Sequence, residues 1–478
     1  MGDTVTGNPT LGGYTGPVDL SRPHFVGVGG SAMSGLAQVC AARGSVVSGT
    51  DAVDSPRLSA LRAAGCTVEV GHRAGAVDGA SCVVYTTVTQ QAPEIAAARA
   101  MKIPVVHRAQ VLRELAKDRY LVAVAGTHGK STTTGILAAA LTFLGRDPSF
   151  VVGADLDAPG SGAHHGAGEV FVAEADESDR SFHFLDAAAA VITTIAHDHP
   201  ENFDDLDAHL IAYVTFAARM RPDALLIANA DEAASMDVIG RVRRLHPDVR
   251  VLTFGRSPQA DVRFGDIDRQ GWQSQTAVRA RDGRGVVRLQ SPSRYHVQDA
   301  VAVVALLVAW GFGVEAAVLA VSSFTGVRRR FTPVGAVGGV TVVDCFADHH
   351  NEIAADLDAA RAVAGEGRVI AVVQPSGYAR VRTFGRQIGT VLAIGADVTV
   401  LLDVHGADPI SGVSSTLVGD AVISAGGDVR YATREHAVDL VAALARPGDV
   451  VLLLGTGDVG GLATPMLTAL RESAGQYV

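Results

Sequence analysis

The strand-like run Tyr120-Leu121-Val122-Ala123-Val124, followed by Gly126-Thr127-His128-Gly129-Lys130-Ser131-Thr132-Thr133-Thr134, decides the fold class. The first five residues are mostly β-branched or small and apolar, as in a buried strand. Gly135 to Leu144 is an apolar helical stretch, so the Gly/Thr-rich segment between them reads as a strand-to-helix turn. A turn of this kind aims backbone N–H groups at the site where a helix begins, and phosphate oxygens bind there. Lys130 is placed to reach terminal phosphates and the Ser131 hydroxyl to hold Mg²⁺. The longer phosphate-loop pattern needs a glycine at position 124, where the chain has Val124; the shorter Gly-Thr-x-Gly-Lys-Ser form fits. Gly126, Thr127, His128, Gly129, Lys130, Ser131 and Thr132 are the candidate phosphate-binding residues.

Downstream, the apolar strand Val170-Phe171-Val172-Ala173 runs into Glu174-Ala175-Asp176-Glu177-Ser178-Asp179. Acids at the carboxyl end of a strand lie where α/β sheets bind ligands, and carboxylates suit Mg²⁺. A further strand, Ala190 to Ile195, ends in His197-Asp198-His199, and His199 is a candidate metal or phosphate ligand. Upstream, Gly27-Val28-Gly29-Gly30-Ser31-Ala32 follows the strand His24 to Val28 and opens a helix from Met33 to Ala42. It fits Gly-x-Gly-x-x-Gly/Ala, and Asp51, about 20 residues on, is placed to bind a ribose hydroxyl. That suits a nucleotide or a nucleotide-sugar diphosphate without distinguishing them.

Beyond the centre, Gly326-Val327-Arg328-Arg329-Arg330-Phe331 puts three arginines at a predicted domain seam, where they can clamp a transferring phosphate. Strands at Val340 to Val343, Val369 to Val373, Val398 to Leu402 and Val450 to Leu454 follow. Asp344 to Glu352, Gln374 to Arg380 and Gly455-Thr456-Gly457-Asp458 sit at their ends. Positions 262–287, rich in Arg, Asp and Gly, read as a peripheral β excursion.

The whole is α/β: apolar strands alternate with Ala/Leu-rich helices. With 478 residues and ~150 per domain, about three domains are expected. The divisions predicted are 1–118, an N-terminal Rossmann-like domain; 119–331, a central phosphate-loop ATPase; and 332–478, a C-terminal Rossmann-like domain. The net charge of −10 argues against nucleic-acid binding, which needs clustered Lys and Arg. The longest apolar run, Ala300 to Trp310, falls short of the ~20 residues of a membrane span, and residues 1–21 carry no apolar signal core. A cytoplasmic protein, monomeric or homodimeric, is expected. The four cysteines form no CxxC pair and read as buried small hydrophobes.

With these residues in place the chain resembles the Mur ligase family along nearly its whole length, and most of all its alanine-adding members. Gly27-Val28-Gly29-Gly30 with Met33-Ser34-Gly35, Gly71-His72, Gly126 to Ser131, Glu174 to Asp179, Asp198-His199, Arg329-Arg330-Phe331, and Gln374-Pro375 with Tyr378 and Arg380 carry the resemblance. It implies an ATP-dependent ligase of peptidoglycan biosynthesis. ATP phosphorylates a carboxylate, such as that of UDP-N-acetylmuramate, and an amine such as L-alanine attacks the acyl phosphate. It implies ATP and Mg²⁺ as cofactors. Lys130, Glu174, His199 and Arg330 are the implied catalytic residues, with Ser131, Glu174 and His199 on metal and His296, Arg330 and Asp344 on nucleotide. Substrates fall to Gly29, Gly30, Ser31, Asp51, His72, Ser178, Asp179, His349, Tyr378 and Arg380.

The chain also departs from the family. Where alanine-adding members read Asp-Asp-Tyr-Ala-His-His-Pro-Thr-Glu, this one has Cys345, Phe346, Asp348 and His350 in place of Asp, Tyr, His and Pro. Gln374 to Arg380 lacks one His and one Arg. The adenine-side His-Asn-x-x-Asn pattern keeps only His296, with Val297 and Ala300 where the amides belong. The departures leave open an alanine-adding ligase, a paralogue joining another acid and amine in specialised metabolism, and a silent UDP-sugar-binding homologue.

Overall fold

The computed structural model describes residues 14–475. Three sheets follow one another along the chain. The first has five parallel strands in the spatial order Thr67–Val70, Ser48–Asp51, Pro23–Val26, Cys82–Tyr85, Val105–His107. The second has ten strands, with Tyr120–Ala125 between Ala189–Ile192 and Val170–Glu174. The third has six, with Val450–Leu454 between Val340–Cys345 and Val369–Val373. All pairs in the third sheet are parallel except the hairpin Thr332–Val337 with Val340–Cys345. Central strands are apolar on both faces because helices cover both sides, the burial pattern of parallel sheets. Val369–Val373 and Val450–Leu454 are buried at every residue.

Several elements differ at their ends from the sequence reading. The helix after the phosphate loop starts at Lys130 rather than Gly135, because its first turn is the loop's own threonine run. The strand expected from Ala190 to Ile195 is Ala189–Ile192, and Thr193 and Thr194 leave it to hydrogen-bond the phosphate loop. Ala300 to Trp310 belongs mostly to the helix Arg294–Ala309, packed in the central core. Among the described residues no helix is long and apolar enough to cross a membrane. The four cysteines are free and buried.

The β excursion is a three-stranded antiparallel meander, Val262–Gln270, Gln273–Ala280 and Gly283–Leu289, that continues the central sheet. Its first hairpin reaches the third sheet's layer. Arg269 donates to Asp358 Oδ2 at 2.7 Å, on the helix His350–Ala364. Trp272, at the tip, packs on Phe331 with ring centroids 5.8 Å apart.

Candidate active site

The phosphate loop is fixed by contacts that tolerate only glycine. Gly126 has φ +142°, and a Cβ there would collide with the Thr193 hydroxyl. Gly129 has φ +82°, and its Cβ would lie 2.6 Å from Asp299 Oδ1. Both demand a positive φ and an absent side chain. Lys130 Nζ donates to the Gly126 carbonyl at 2.7 Å and to Glu177 at 2.9 Å. Burial opposes the charge on Lys130, but Glu177, Asp176 and Glu174 outweigh it and lift its pKa to about 12. Burial raises Glu177 to about 7 against the pull of Lys130. Ser131 Oγ donates to Glu174 Oε2 at 3.0 Å, and the same oxygen accepts from the Gly153 N–H at 2.7 Å.

Arg330 comes to this hydroxyl from the junction with the third sheet: its Nη2 lies 3.2 Å from Ser131 Oγ. Its guanidinium and that of Arg329 both lie over the Phe346 ring, 5.0 and 4.7 Å from the centroid. Arg329, Phe331 and His199 have φ of +62°, +53° and +51°. Non-glycine residues held in this region mark places where the surroundings override backbone preference, often functional ones. His199 bonds Glu201 at 3.2 Å; burial opposes its charge, but Glu201, Asp198 and Glu177 raise its pKa above the usual value.

A cavity beside the loop is lined by His128, Gly129, Ser131, Thr132 and Arg330, and by Tyr295, His296 and Asp299 of the helix Arg294–Ala309. Thr127 is buried against Ala196 instead, accepting from its N–H at 2.9 Å. Val297 and Ala300 are fully buried in the core, which corrects the register expected for the adenine-side pattern. The residues facing the cavity keep the i, i+1, i+4 spacing, but it begins at Tyr295 and reads Tyr295-His296-x-x-Asp299. On a helix a one-residue shift turns the side chain by about 100°. Burial lowers His296 to about 4 and pushes Asp299 well above the carboxylate range. Glu352 and Asp356 complete the opposite wall; His128, 3.1 Å from Glu352, holds it down to about 2 against burial. Asp344 does not line this cavity. It pairs with Arg329 at 3.3 Å and fills the space over Gly460.

A wider cleft runs from Ser131, Glu174, His199 and Arg330 to the first sheet, where Gly30, Ser31, Ser178 and Asp179 line it. Gly29 and Asp51 lie behind that wall: Asp51 Oδ2 accepts from the Gly29 N–H at 2.8 Å and so braces the glycine loop. His72 bonds Glu94, 3.1 Å away, a fully buried carboxylate that also accepts from Thr50 and the Arg73 N–H. Asp176 and Asp179 are spanned by Arg108, at 2.8 and 3.4 Å.

The residues expected to receive an amine sit at the carboxyl ends of strands in the third sheet, but not as expected. Arg380 is committed: Nε and Nη2 donate to the two oxygens of Asp198 at 3.0 and 3.1 Å, and Nη1 to Asp348. Thr456 Oγ1 donates to Asp348 at 3.0 Å. His349 is fully buried; its Nδ1 accepts from the Asn351 N–H and its Nε2 meets the His197 carbonyl, so it caps a helix and holds the seam. Tyr378 opens the helix Tyr378–Gly395, half-buried beside Gly406.

Comparison with known proteins sets this geometry in a family. Residues 22–120 match the Mur ligase family, catalytic domain; 124–307 the Mur ligase middle domain; and 329–457 the Mur ligase, glutamate ligase domain. The chain belongs to the Mur ligase family. The chain is 41% identical over 461 residues to the UDP-N-acetylmuramate--L-alanine ligase of Streptomyces avermitilis, covering 95% of this chain and 99% of that one. It is 42% identical over 466 residues to the same enzyme of Streptomyces coelicolor, with 95% and 99% covered. The crystal structure of the UDP-N-acetylmuramate-alanine ligase of Thermotoga maritima shares the fold, with TM-score 0.80 and 24% identity over 95% of this chain and 99% of that one.

This Mur ligase is therefore an ATP-dependent acid–amino-acid ligase. Among its described residues no group of three or more His, Cys, Asp and Glu side chains is arranged to hold a metal by itself. A hydroxyl, Ser131, beside one carboxylate, Glu174, is instead the donor set Mg²⁺ uses when substrate phosphates supply the remaining oxygens. Sequence reasoning missed Glu177, Asp299, Tyr295 and Glu352 as site residues. Tyr295 and Asp299 were legible from helical spacing; Glu177 was not, since it follows the end of a strand, where alternation no longer tells which way a side chain points.

Proposed function

We propose that this Mur ligase joins the carboxylate of UDP-N-acetylmuramate, or a closely related acid, to an amine, with ATP converted to ADP and phosphate. The units 1–118, 119–331 and 332–478 would take the UDP acid, ATP and the amine respectively, in the cytoplasm. The observation that carries this reading is the Arg330 guanidinium at 3.2 Å from Ser131 Oγ, across the seam from Glu174. It puts a cation from the junction with the amine-taking unit on the hydroxyl of the phosphate loop.

The loop N–H groups and Lys130 hold the phosphates. A carboxylate oxygen of the acid attacks the terminal phosphorus, the bond to ADP breaks, and an acyl phosphate forms. Lys130 and Arg330 offset the charge spread over the transferring group, a contribution often worth several kcal/mol when the donors are fixed in advance. Ser131 and Glu174, with His199 at the same end of the cleft, would hold Mg²⁺, which would supply further charge neutralisation when bound. The amine nitrogen then attacks the acyl carbon, phosphate leaves and the nitrogen loses a proton. The closed seam excludes water, which would otherwise hydrolyse the intermediate. The nucleotide cavity and the Lys130, Ser131 and Glu174 set argue against a silent sugar-binding homologue.

The test is ADP release with UDP-N-acetylmuramate and a panel of amines. Amine-dependent ADP formation with an amide product is expected. No ADP release with any acid and amine pair overturns the reading.

A further inference from the structure

Resting on that reading, we infer that Trp272 is a positioning residue for phosphoryl transfer. From the hairpin tip of the central sheet it holds Phe331, and so keeps the guanidinium of Arg330 on the phosphate loop.

The crossover from the second sheet to the third is short. Val327 belongs to the core around the central sheet, where its backbone bridges Leu156. Phe331 belongs to the core around the third sheet. Between them lie Arg328, Arg329 and Arg330. Arg329 and Phe331 have φ of +62° and +53°, a region unfavourable for any residue with a Cβ. The backbone on either side of Arg330 therefore keeps its course only because neighbours fix it. Arg329 is fixed by Asp344 and by the carbonyls of Gly455 and Gly457, and its own carbonyl accepts from the Phe346 N–H at 2.7 Å. Phe331 is fixed by burial and by the indole of Trp272.

Trp272 belongs to the central sheet, in the turn between Val262–Gln270 and Gln273–Ala280. Its indole nevertheless packs against the core around the third sheet. It ties Phe331 back to the sheet that carries the phosphate loop, so the crossover is bracketed at both ends, by Val327 and by Phe331. Arg330 depends on that bracket. Among the described residues it forms no ion pair; its guanidinium lies over the Phe346 ring and donates to Ser131 Oγ at 3.2 Å. With few contacts of its own, the guanidinium goes where its backbone sends it. The second anchor of the hairpin is separate. Arg269 binds Asp358 on the helix His350–Ala364, which Arg294 also reaches at 3.3 Å.

The test measures ADP release by the full-length enzyme with UDP-N-acetylmuramate, ATP and L-alanine. Trp272→Ala is expected to lower kcat by about tenfold, with KM for UDP-N-acetylmuramate within about twofold of the parent, because a displaced cation acts on the transition state. Trp272→Phe keeps a ring on Phe331 and is expected to recover kcat to within about threefold of the parent. In the double variant with Arg330→Ala, Trp272→Ala is expected to cost less than about twofold more, since its effect passes through that guanidinium. Arg269→Ala loosens the hairpin at a partly exposed ion pair and is expected to stay within about twofold of the parent. Parental kcat in Trp272→Ala, full additivity with Arg330→Ala, or an equal loss in Arg269→Ala overturns the inference and leaves the ligase reading standing. No ADP release by the parent enzyme with any acid and amino acid overturns the ligase reading, and the inference with it.

Discussion

The phosphate loop and the amine crevice lie on opposite sides of one seam and have been treated differently. At the loop the groups proposed for phosphoryl transfer are gathered and pre-set: Gly126 and Gly129 hold their positive-φ turns, and Lys130, Ser131, Glu174 and Arg330 converge. At the crevice Arg380 is kept, but Asp348 and Asp198 occupy it. Phosphoryl transfer presents the same charges whatever the acceptor, so its apparatus stays fixed. Across the seam the Arg380 guanidinium carries two carboxylate partners, Asp198 and Asp348.

The comparison can be broken or sharpened by substitution. Lys130→Ala is expected to have the largest effect, lowering kcat/KM for ADP release by ~10³-fold or more. A loss under about tenfold would show that the loop lysine does not offset transferring charge. Arg380→Ala acts on stability first, because it strands Asp198 and Asp348. About 3 kcal/mol of destabilisation is expected in denaturant unfolding, partly recovered in the double variant with Asp348→Asn. Arg330→Ala is expected to reduce turnover by about 100-fold with little change in folding, since its hydroxyl partner Ser131 keeps Glu174.

The smallest effect at neutral pH is at His209, which is fully buried, with burial lowering its pKa to about 4. A depressed histidine makes its stabilisation available above pH 6.5 and loses it as pH falls through about 4, because the unfolded chain binds the proton more readily. His209→Phe should lie within about 1 kcal/mol of the parent at pH 7. It should show a shallower fall of Tm between pH 6.5 and 4; an identical slope would remove His209 from the acid response.

Much of this was legible in the sequence, for physical reasons that also mark where legibility stops. Tyr120–Ala125, Val369–Val373 and Val450–Leu454 were readable because strands covered on both faces are continuous apolar runs. The loop glycines and Lys130 were readable because a phosphate-binding turn admits few residue types. The adenine-side pattern was read one position late, at His296, Val297 and Ala300; the burial of Val297 and Ala300 in the core exposes the shift, since Tyr295, His296 and Asp299 are the residues that face the cavity. Asp198 and Arg380 are 182 residues apart, and no local pattern announces that one will saturate the other. The same holds for His128 and Glu352, which meet only after the third sheet folds against the second.

The meander's hairpin tip has a practical consequence. The chain has two tryptophans: Trp272, seated on Phe331 next to Arg330, and Trp310, edge-to-face with Tyr120 at the start of a central strand. One indole thus sits at the joint between the second and third sheets and the other inside the central unit. Intrinsic emission gives a built-in optical gauge of how the two halves meet, with Trp272→Phe silencing the sensor and leaving Trp310 as the reference.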